Sequence, residues 1–237
     1  MEKIIGINPV TEALENKEKR IEKIEIYKGS AEERLRRVKK LAAERNVRIF
    51  YTDKRAPNSQ GVTLFLADYD YYLEFGELLE RALPLPKSVV LVLDEIQDPR
   101  NLGAIFRCAE VFGVAGLILP ERNAAGINET VVKTSAGAVE HVPVCKVVNI
   151  SQALDRLKEL GFWVYGAEGG AERDYFSEDY AARVALVLGN EGRGIRKKVR
   201  ERCDVLVKIP MYGKINSLNV SVACGVILSV IARAQHI

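Results

Sequence analysis

Polar residues and glycines that could take part in chemistry are concentrated in three short stretches of the C-terminal two-thirds of the chain. They read DPRNLGAIFR at positions 98–107, GNEGRG at 189–194 and IPMYGKINSLNVS at 209–221. Each stretch follows or closes a run of apolar residues, so each is expected to leave the end of a buried strand. Binding and catalytic residues are often carried by loops that a rigid scaffold positions. The three stretches are therefore the candidates for a site.

Each stretch on its own also has a purely structural explanation. Asn101 is a good residue for the N-cap of a helix, and Arg107 could pair with Glu110 on one helix face. Ser217 could likewise be an N-cap, and Asn219 in the first turn could cap as well. Considered alone, these residues favour the structural roles.

The glycine-rich stretch from Gly189 to Gly194 permits close approach of the backbone to a ligand. Its spacing matches neither the dinucleotide fingerprint nor the P-loop, so neither of those nucleotide sites is predicted. A tight turn would explain it equally well, and the basic residues after it would then form an exposed helix face. Those basic residues are Arg196, Lys197, Lys198 and Arg200.

Apolar runs and helical stretches alternate around these loops, which predicts an α/β domain with a parallel sheet. The run SVVLVLD at 88–94 is almost continuously apolar, as expected for a strand that is buried on both faces. Ligands of such sheets bind outside the carboxyl ends of the strands, where the three stretches lie. Further strands are predicted at 117–119, 162–165, 184–188 and 205–209, and helices at 102–112, 129–138, 151–160 and 218–234.

A chain of 237 residues has room for one large domain or two small ones. The prolines of the segment LPLPK at 83–87 cannot continue a helix, so we expect a domain boundary there. The predicted division is a first domain over residues 1–75, a linker over 76–87 and a second domain over 88–237.

The first domain is predicted to be a small α/β domain. Asn8 and Pro9 are expected to be the N-cap and first position of one helix. Ser30 and Glu33 are expected to form a capping box for another helix, which ends near Arg45. Strands are predicted at 21–27, 47–52 and 62–67, where β-branched and aromatic residues cluster.

Composition excludes several classes of protein. Hydrophobic residues make up 48% and charged residues 28%, as is typical of a globular protein. No apolar run reaches the roughly 18 residues that span a bilayer, and the start resembles no signal peptide, so a cytoplasmic location is expected. The cysteines form no Cys-x-x-Cys pair, and the histidines are His141 and His236. We therefore expect buried, reduced cysteines and a metal-free mechanism.

The formal net charge of +3 is too small to prove a nucleic-acid partner, but the charge is unevenly distributed. Between Lys17 and Arg55 basic residues outnumber acidic ones. From Ala56 to Glu80 the charged residues, which include Asp68 and Asp70, are all acidic. This asymmetry predicts one basic face on the first domain, although a helix face with i,i+4 ion pairs explains the basic residues equally well.

Taken together, the order and spacing of the three stretches resemble the three motifs of the SpoU/TrmH family of RNA ribose 2′-O-methyltransferases. The first motif is matched by DPxNLG at 98–103 with Arg107, and the second by GNEGxG at 189–194. The third is matched by IPM at 209–211 with SLNVS at 217–221. With segment 6–14 and Gln60-Gly61, the chain is most similar to the branch that methylates a guanosine in large-subunit ribosomal RNA.

This resemblance implies a fold, a cofactor and a partner. Family members have a parallel-sheet α/β methyltransferase domain of the SPOUT class with a C-terminal trefoil knot. In this branch a small, ribosomal-protein-like α/β RNA-binding domain precedes it. Periodicity alone predicts an unknotted, doubly wound sheet. The resemblance further implies a homodimer formed through the catalytic domain, and an S-adenosylmethionine pocket lined by backbone at Gly189, Ile209 and Leu218.

The resemblance also assigns Arg107 to the step in which a ribose 2′-hydroxyl attacks the sulfonium methyl. An arginine is effectively always protonated, so we expect it to orient a phosphate and stabilise the developing alkoxide rather than act as a base. Some other oxygen would accept the proton. Asn101, Ser217 and Asn219 are expected to position the reacting groups. Glu191 is expected to hold Arg107 or the glycine-rich loop.

The basic face of the first domain is expected to bind RNA phosphates, with Arg36, Arg37 and Gln60 as contacts. Related sequences carry His-Gln-Gly where this chain has Ser59-Gln60-Gly61, so the contact there is expected to differ. Three alternatives stay open: the same chemistry on a transfer-RNA guanosine, a non-catalytic RNA-binding or ribosome-assembly protein, and a nicotinamide-dependent enzyme. The missing glycine fingerprint disfavours the last of these.

Overall fold

The computed structural model describes residues 3–16, 19, 21–57, 59–66 and 71–236. The chain divides into two compact units, Met1–Asp70 and Tyr71–Ile237. Lys17, Ala67, Asp68 and Asp70, on which parts of the charge and strand predictions rest, lie outside the described residues. None of the helices within the described ranges combines the length and apolar character that crossing a bilayer requires.

The first unit contains a four-stranded sheet and two helices. In chain order its elements are β1 (Lys3–Ile5), α1 (Ile7–Glu15), β2 (Ile21–Tyr27), α2 (Glu32–Glu44), β3 (Arg48–Thr52) and β4 (Val62–Leu66). The strand order is β1-β4-β2-β3, in which β2 and β3 pair in parallel and the other pairs are antiparallel. Leu14, Ile24, Leu35 and Leu64 are buried at the centre of its core.

Helix α1 begins at a different residue from the one predicted. Gly6, with φ of 97°, precedes the first helical residue, Ile7. The amide of Ile7 donates to Gln60 Oε1 at 3.0 Å, so a residue distant in the sequence satisfies the end of this helix. The prediction that Asn8 and Pro9 are the N-cap and first position is therefore wrong, because both lie within the helix.

Helix α2 lacks the predicted capping box. Its N-cap is Ala31, which has no side chain that could accept a hydrogen bond from the helix. Ser30 Oγ instead donates to the carbonyl oxygen of Gly61 at 3.3 Å. The prediction of a box between Ser30 and Glu33 is wrong, because a tertiary contact with the turn before β4 occupies the serine hydroxyl.

The second unit contains an eight-stranded sheet with helices between its strands. Its elements are β5 (Tyr72–Leu73), α3 (Phe75–Ala82), β6 (Ser88–Asp94), α4 (Pro99–Val111), β7 (Gly116–Pro120), α5 (Glu129–Ser135), β8 (Val144–Val147), α6 (Ile150–Glu159), β9 (Trp163–Ala167), β10 (Arg173–Asp174), β11 (Arg183–Gly189), α7 (Lys197–Arg200), β12 (Val205–Lys208) and α8 (Val220–His236). The strand order is β10-β12-β9-β11-β6-β7-β8-β5, and the strands of each described pair run in parallel. The predicted parallel α/β sheet is confirmed.

The middle of this sheet is covered by apolar side chains on both faces. In β6, Leu91 and Leu93 belong to one hydrophobic cluster, whereas Val90 and Val92 belong to another. Successive side chains of a strand point to opposite faces, so a strand between two cores must be apolar at every position. Burying one such side chain stabilises the fold by about 1.5–3 kcal/mol.

The division into units differs from the predicted boundary. Residues 76–87, expected as a linker, contain most of α3, and Leu78, Leu79 and Ala82 of this helix pack into the second unit. Gly116 leaves room for the helix, because a Cβ there would lie 2.8 Å from Leu78 Cδ1. The prolines of 83–87 therefore follow a packed helix of the second unit, and the division lies between Asp70 and Tyr71.

Helix α4 begins three residues earlier than predicted. Its first residue is Pro99, and Asp98 is the N-cap, with Oδ1 accepting a hydrogen bond from the amide of Arg100 at 2.8 Å. Proline is favoured at this first position because its missing N–H costs nothing there. Asn101 lies in the first turn and is not the N-cap, so the capping explanation of Asn101 is wrong.

Candidate active site

The three stretches meet at the carboxyl edge of the sheet, beside a cavity of about 260 Å³. Because β6, β11 and β12 run in parallel, the loops after them emerge at the same edge. The cavity is lined by the end of β11 and its loop, by the loop after β12 and by α8. Gly189, Ile209 and Leu218, the predicted cofactor positions, all line it together with Glu191 and Ser217.

The walls of this cavity are mainly apolar, and its charged groups are negative. Glu168 and Glu191 belong to the lining, which contains no Lys, Arg or His among the residues the structure describes. Glu168 Oε2 lies 2.6 Å from Arg200 Nε, whereas Glu191 forms no ion pair within the described ranges. Such a site favours a ligand with apolar faces and a positive charge.

The glycine-rich loop is a tight turn built around Asn190. Its amide donates to the carbonyl of Gly194 at 3.1 Å, and the amide of Gly194 donates back at 2.8 Å. A Cβ at Gly189 would lie 2.2 Å from the backbone carbon of Gly194, so only glycine fits at position 189. Asn190 Nδ2 also donates to the carbonyl of Glu95 at 3.0 Å, which ties this loop to the loop after β6. Sequence reasoning missed Asn190, although an asparagine between glycines is a signal for a turn.

A chain of side-chain hydrogen bonds connects the three motifs. Asn219 Nδ2 donates to Asn101 Oδ1 at 2.9 Å, and Asn101 Nδ2 donates to Glu191 Oε1. Asn101 is buried, and these two bonds satisfy both ends of its amide. The structure thus brings together one predicted residue from each of the three loops.

The third motif leads directly into α8. Asn219 Oδ1 accepts hydrogen bonds from the amide of Ser221 at 2.9 Å and from its hydroxyl at 2.6 Å. Asn219 therefore caps the helix, which begins at Val220. Ser217 is exposed, lines the cavity and forms no side-chain hydrogen bond within the described chain, so its interpretation as the N-cap is wrong.

Arg107 lies apart from this hydrogen-bond chain. It is exposed on α4 and lines a groove between α4 and α8 together with Val111 and Val222. Its guanidinium makes no hydrogen bond or ion pair with any residue that the structure describes, so the alternative of a pair with Glu110 is wrong. A guanidinium of this kind presents its donors to an external phosphate or oxyanion.

Asp94, the last residue of β6, is buried and forms an ion pair with the partly exposed Arg196, which sequence reasoning missed. Its carboxylate accepts from the amide of Arg196 at 2.8 Å, from Nε at 2.8 Å and from Nη2 at 2.6 Å. The hydrogen bond to Asp94 is the main cause that raises the pKa of Arg196. The alternative of an exposed helix face holds for Lys197, Lys198 and Arg200, which lie exposed on α7, whereas Arg196 is the N-cap of this helix and its guanidinium pairs with Asp94. The position of a charged residue, Asp94, at the end of an apolar run could have indicated a buried carboxylate that needs a partner.

The cysteines differ in burial and in acidity. Cys145 and Cys224 are buried as expected, whereas Cys108 and Cys203 are partly exposed. A hydrogen bond with Cys224 and, to a smaller degree, the charge of Arg107 lower the pKa of Cys108 to about 7, although burial opposes this shift. Burial raises the pKa of Cys145 and of Cys203 to about 12.

The predicted RNA contacts lie in the first unit. Arg36 is exposed on α2 and forms no ion pair within the described ranges, whereas Arg37 pairs with Glu15 of α1. Gln60 has a structural role that the sequence did not reveal, because its side-chain oxygen accepts the hydrogen bond from Ile7 at the start of α1. Contact of these residues with RNA stays a prediction.

Two family models match the chain. Residues 88–229 match the SpoU rRNA Methylase family, and residues 3–72 match the family of RNA 2′-O ribose methyltransferase substrate binding. The first range contains all three motifs and lies within the second unit. The second range corresponds closely to the first unit.

Known relatives are similar over nearly the whole chain. A Bacillus subtilis protein named as a TrmH family tRNA/rRNA methyltransferase, YacO, is 36% identical over 240 residues, which cover 98% of this chain and 96% of the relative. A Pseudomonas putida protein named 23S rRNA (guanosine-2′-O-)-methyltransferase RlmB is 36% identical over 245 residues, covering 100% and 98%. The structure of the SpoU methyltransferase AviRb from Streptomyces viridochromogenes with AdoMet has a TM-score of 0.65 and 22% identity, covering 99% of this chain and 90% of that chain. At that identity the likeness shows a shared fold.

Proposed function

Because the chain belongs to the SpoU rRNA methylase family, we propose that it transfers a methyl group from S-adenosylmethionine to a ribose 2′-hydroxyl of RNA. The observation that carries this proposal is the hydrogen-bond chain from Asn219 through Asn101 to Glu191 beside one cavity. It joins all three motifs at the edge where parallel sheets bind their ligands.

The residues around the cavity fit S-adenosylmethionine. When bound, this cofactor supplies an electrophilic methyl group on a positively charged sulfur. Leu188 and Ile209 would cover the faces of the adenine, while backbone groups at Gly189 and Leu218 would read its edge. Glu191 matches the positive charge of the ligand. A nicotinamide dinucleotide would instead bring phosphates to a lining that has carboxylates, so this alternative is disfavoured.

Arg107 would act on the RNA rather than on the cofactor. Its guanidinium is exposed, so it would bind a phosphate beside the target ribose and stabilise the negative charge that develops on the 2′-oxygen. Asn101 lies between one and two turns earlier on the same helix. Because Asn219 and Glu191 hold Asn101, they also fix the helix that carries Arg107. Ser217, at the exposed rim of the cavity, would contact the ribose or the cofactor.

The proposed substrate is a guanosine of 23S ribosomal RNA in the cytoplasm. The Pseudomonas putida relative carries this activity in its name and aligns with the whole chain, which supports the choice. The first unit would bind the RNA, with Arg36, Arg37 and Gln60 as contacts. Transfer RNA is the alternative substrate, because the name of the Bacillus subtilis relative includes both RNAs.

A homodimer with a knotted C-terminal segment, as in the family, is part of this proposal. The dimer contact would lie in the second unit, as the resemblance to the family implies. Light scattering after size-exclusion chromatography should therefore give twice the mass of one chain.

Methyl transfer from labelled S-adenosylmethionine to total bacterial RNA, followed by mapping of the modified position, tests the proposed function. We expect label on a ribose 2′-oxygen of 23S RNA. Label found only on transfer RNA would show that transfer RNA, and not 23S RNA, is the substrate. Cofactor binding without methyl transfer to any RNA would refute the proposed reaction. A protein that binds RNA but not the cofactor in calorimetry would be the non-catalytic alternative.

Arg107→Ala separates the role of this arginine from cofactor binding. We expect the variant to lose transfer while its cofactor Kd stays within about tenfold, because Arg107 does not line the cavity. Arg81→Ala is the control, since Arg81 is an exposed arginine of α3 that makes no ion pair within the described chain. Undiminished transfer by the Arg107 variant would contradict its proposed role.

A further inference from the structure

The arginines of the second unit fall into two groups according to their partners. Those bound to a carboxylate or a backbone carbonyl are Arg156, Arg173, Arg183, Arg196, Arg200 and Arg202. Those whose side chain is exposed and makes no hydrogen bond or ion pair with a described residue are Arg81, Arg100, Arg107, Arg122, Arg193 and Arg233. The second group contains arginines whose donors are open to an external ligand.

Three of the exposed arginines lie just after successive strands of the sheet, Arg193 and Arg122 in loops and Arg100 in the first turn of α4. Arg193 follows β11, Arg100 follows β6 and Arg122 follows β7, and the sheet order is β11-β6-β7. Neighbouring strands are about 4.8 Å apart, so the three loops emerge within about 10 Å of one another along the carboxyl edge. We call Arg100, Arg122 and Arg193 the arginine row. The row begins at the cavity, because the loop that carries Arg193 also lines it.

The loops of the arginine row are held together through Glu95. The carbonyl of Glu95 accepts from Asn190 Nδ2 at 3.0 Å, which fixes the loop after β11. Oε1 of Glu95 accepts from Asn123 Nδ2 at 3.2 Å, which fixes the loop after β7. Asn101 and Glu191 form a further bond between the first and second of these loops. The spacing of the row is therefore set by the fold.

The carboxylates close to the arginine row are mostly engaged elsewhere. Glu95 lies 3.2 Å from Arg196 Nη1, Asp98 caps α4, and Glu191 accepts from Asn101. Glu121, beside Arg122, is exposed, and its carboxylate has no partner among the described residues. Asp98 and Glu191 accept from neutral donors and keep their negative charge, so the argument for a phosphate ligand depends on the unpaired donors of the three guanidinium groups and not on their net charge.

We propose that the arginine row binds consecutive phosphates of the RNA strand that carries the target ribose. This inference rests on the proposed function, which places the reacting methyl at the cavity where the row begins. Phosphate contacts fix the register of a nucleic acid without reading its sequence. The row therefore holds the strand along the sheet edge, so that one ribose reaches the cavity while Arg107 meets it from the groove beside α4.

Salt dependence of RNA binding tests the arginine row directly. The probe is a labelled single-stranded RNA of about 20 nucleotides, because contacts with phosphate are independent of sequence. Removing one phosphate contact lowers the slope of log Kd against log salt by about 0.7, so the triple Arg→Gln variant at 100, 122 and 193 should lower it by about 2. Its cofactor Kd should stay within about twofold of the unchanged protein, because none of the three side chains lines the cavity.

Arg81→Gln combined with Arg233→Gln is the matched control. Both arginines are exposed and without ion pairs among the described residues. They lie near the opposite edge of the sheet, where Leu83 accepts from Arg183 and Gln235 donates to Ala182 at the start of β11. This double variant should keep the slope of the unchanged protein.

The outcomes separate this inference from the proposed function. A triple variant with the unchanged slope, or a control variant with an equal loss, would overturn the arginine row. Transfer by the unchanged protein to RNA tests the proposed function independently. If that protein transfers methyl groups, the triple variant should also have a lower kcat/KM for RNA, by at least tenfold at a salt concentration of about 0.15 M.

Discussion

Arg196→Ala and Asp94→Asn remove opposite halves of one ion pair, and we expect them to lower stability by different amounts. The carboxylate of Asp94 is completely buried, whereas the side chain of Arg196 is 45% exposed. Loss of the arginine leaves a buried negative charge that retains only the backbone amide of Arg196 as a donor. Loss of the carboxylate leaves a guanidinium that water can reach and that Glu95 still contacts at 3.2 Å.

The expected size of each effect follows from this asymmetry. Breaking a buried ion pair by removing one partner costs about 3–5 kcal/mol, and the retained amide places Arg196→Ala near the lower end, at about 3 kcal/mol. Asp94→Asn introduces a side chain of the same shape and leaves no unpaired charge in the interior. One of its two accepting oxygens becomes an NH2 group, so we expect a cost of about 1.5–2 kcal/mol, in the lower part of the range for a hydrogen bond to a charged group.

Urea unfolding of the two variants measures these costs. Arg202→Ala is the matched control, because Arg202 is also 45% exposed but pairs with Asp155, which is itself 47% exposed. A surface pair of this kind contributes about 0–1 kcal/mol. The reasoning is refuted if Arg196→Ala costs no more than Arg202→Ala, or if Asp94→Asn proves the more destabilising of the pair.

Three further predictions concern the loops and the groove. Gly189→Ala should cost about 2–3 kcal/mol in urea unfolding and weaken cofactor binding, because its Cβ would meet backbone atoms of the same loop. Cys108 should be the cysteine that iodoacetamide alkylates first. Its alkylation rate should reach half of the maximum near pH 7 and rise above that pH, because the thiolate is the reacting form. Arg107→Gln should slow the alkylation of Cys108, which mass spectrometry of the labelled peptides would measure. Asn101→Ala should cost about 1–2 kcal/mol and lower kcat for methyl transfer, because two side chains lose their partner.

Each of these predictions has a control in the same chain. Gly192→Ala should be tolerated within about 0.5 kcal/mol, because a Cβ there would first meet Asn190 Oδ1, at 3.6 Å. Equal losses at positions 189 and 192 would contradict the role of the tight turn. Cys145 alkylated as fast as Cys108 at pH 7 would contradict the acidity of the latter. Asn149→Ala removes the cap of α6 at a similar cost, about 1 kcal/mol, and should leave transfer unchanged.

The parallel sheet was predictable because its central strands are apolar at nearly every position. A run such as Ser88–Asp94 is explained only by burial on both faces, and the structure places a core on each side of it. The two-residue strands β5 and β10 were not predictable, since so short a segment carries no periodicity. The boundary predicted at 83–87 differs from the division between Asp70 and Tyr71 for a related reason. Prolines end a helix without indicating which core that helix packs against.

Helix starts were predicted less well, because a cap can be supplied by a distant residue. Gln60 and Gly6 begin α1, and no local pattern around Asn8 and Pro9 indicates this. The same limit hid the ion pair of Asp94, whose partner lies 102 positions further along the chain. The motif residues were found as a set because their order and spacing were matched together rather than one by one.

Helix α4 connects the cavity to the groove that contains Arg107. The helix is capped by Asp98, and in its first turn Asn101 is held by Asn219 on one side and by Glu191 on the other. Glu191 belongs to the lining of the cavity, so a ligand that orders this carboxylate also orders the start of the helix that carries Arg107. We therefore expect the binding of the cofactor and the binding of RNA to be coupled, although the two ligands need not touch. Such coupling is reciprocal. If the bound cofactor lowers the Kd of the protein for RNA by some factor, bound RNA must lower the Kd for the cofactor by the same factor.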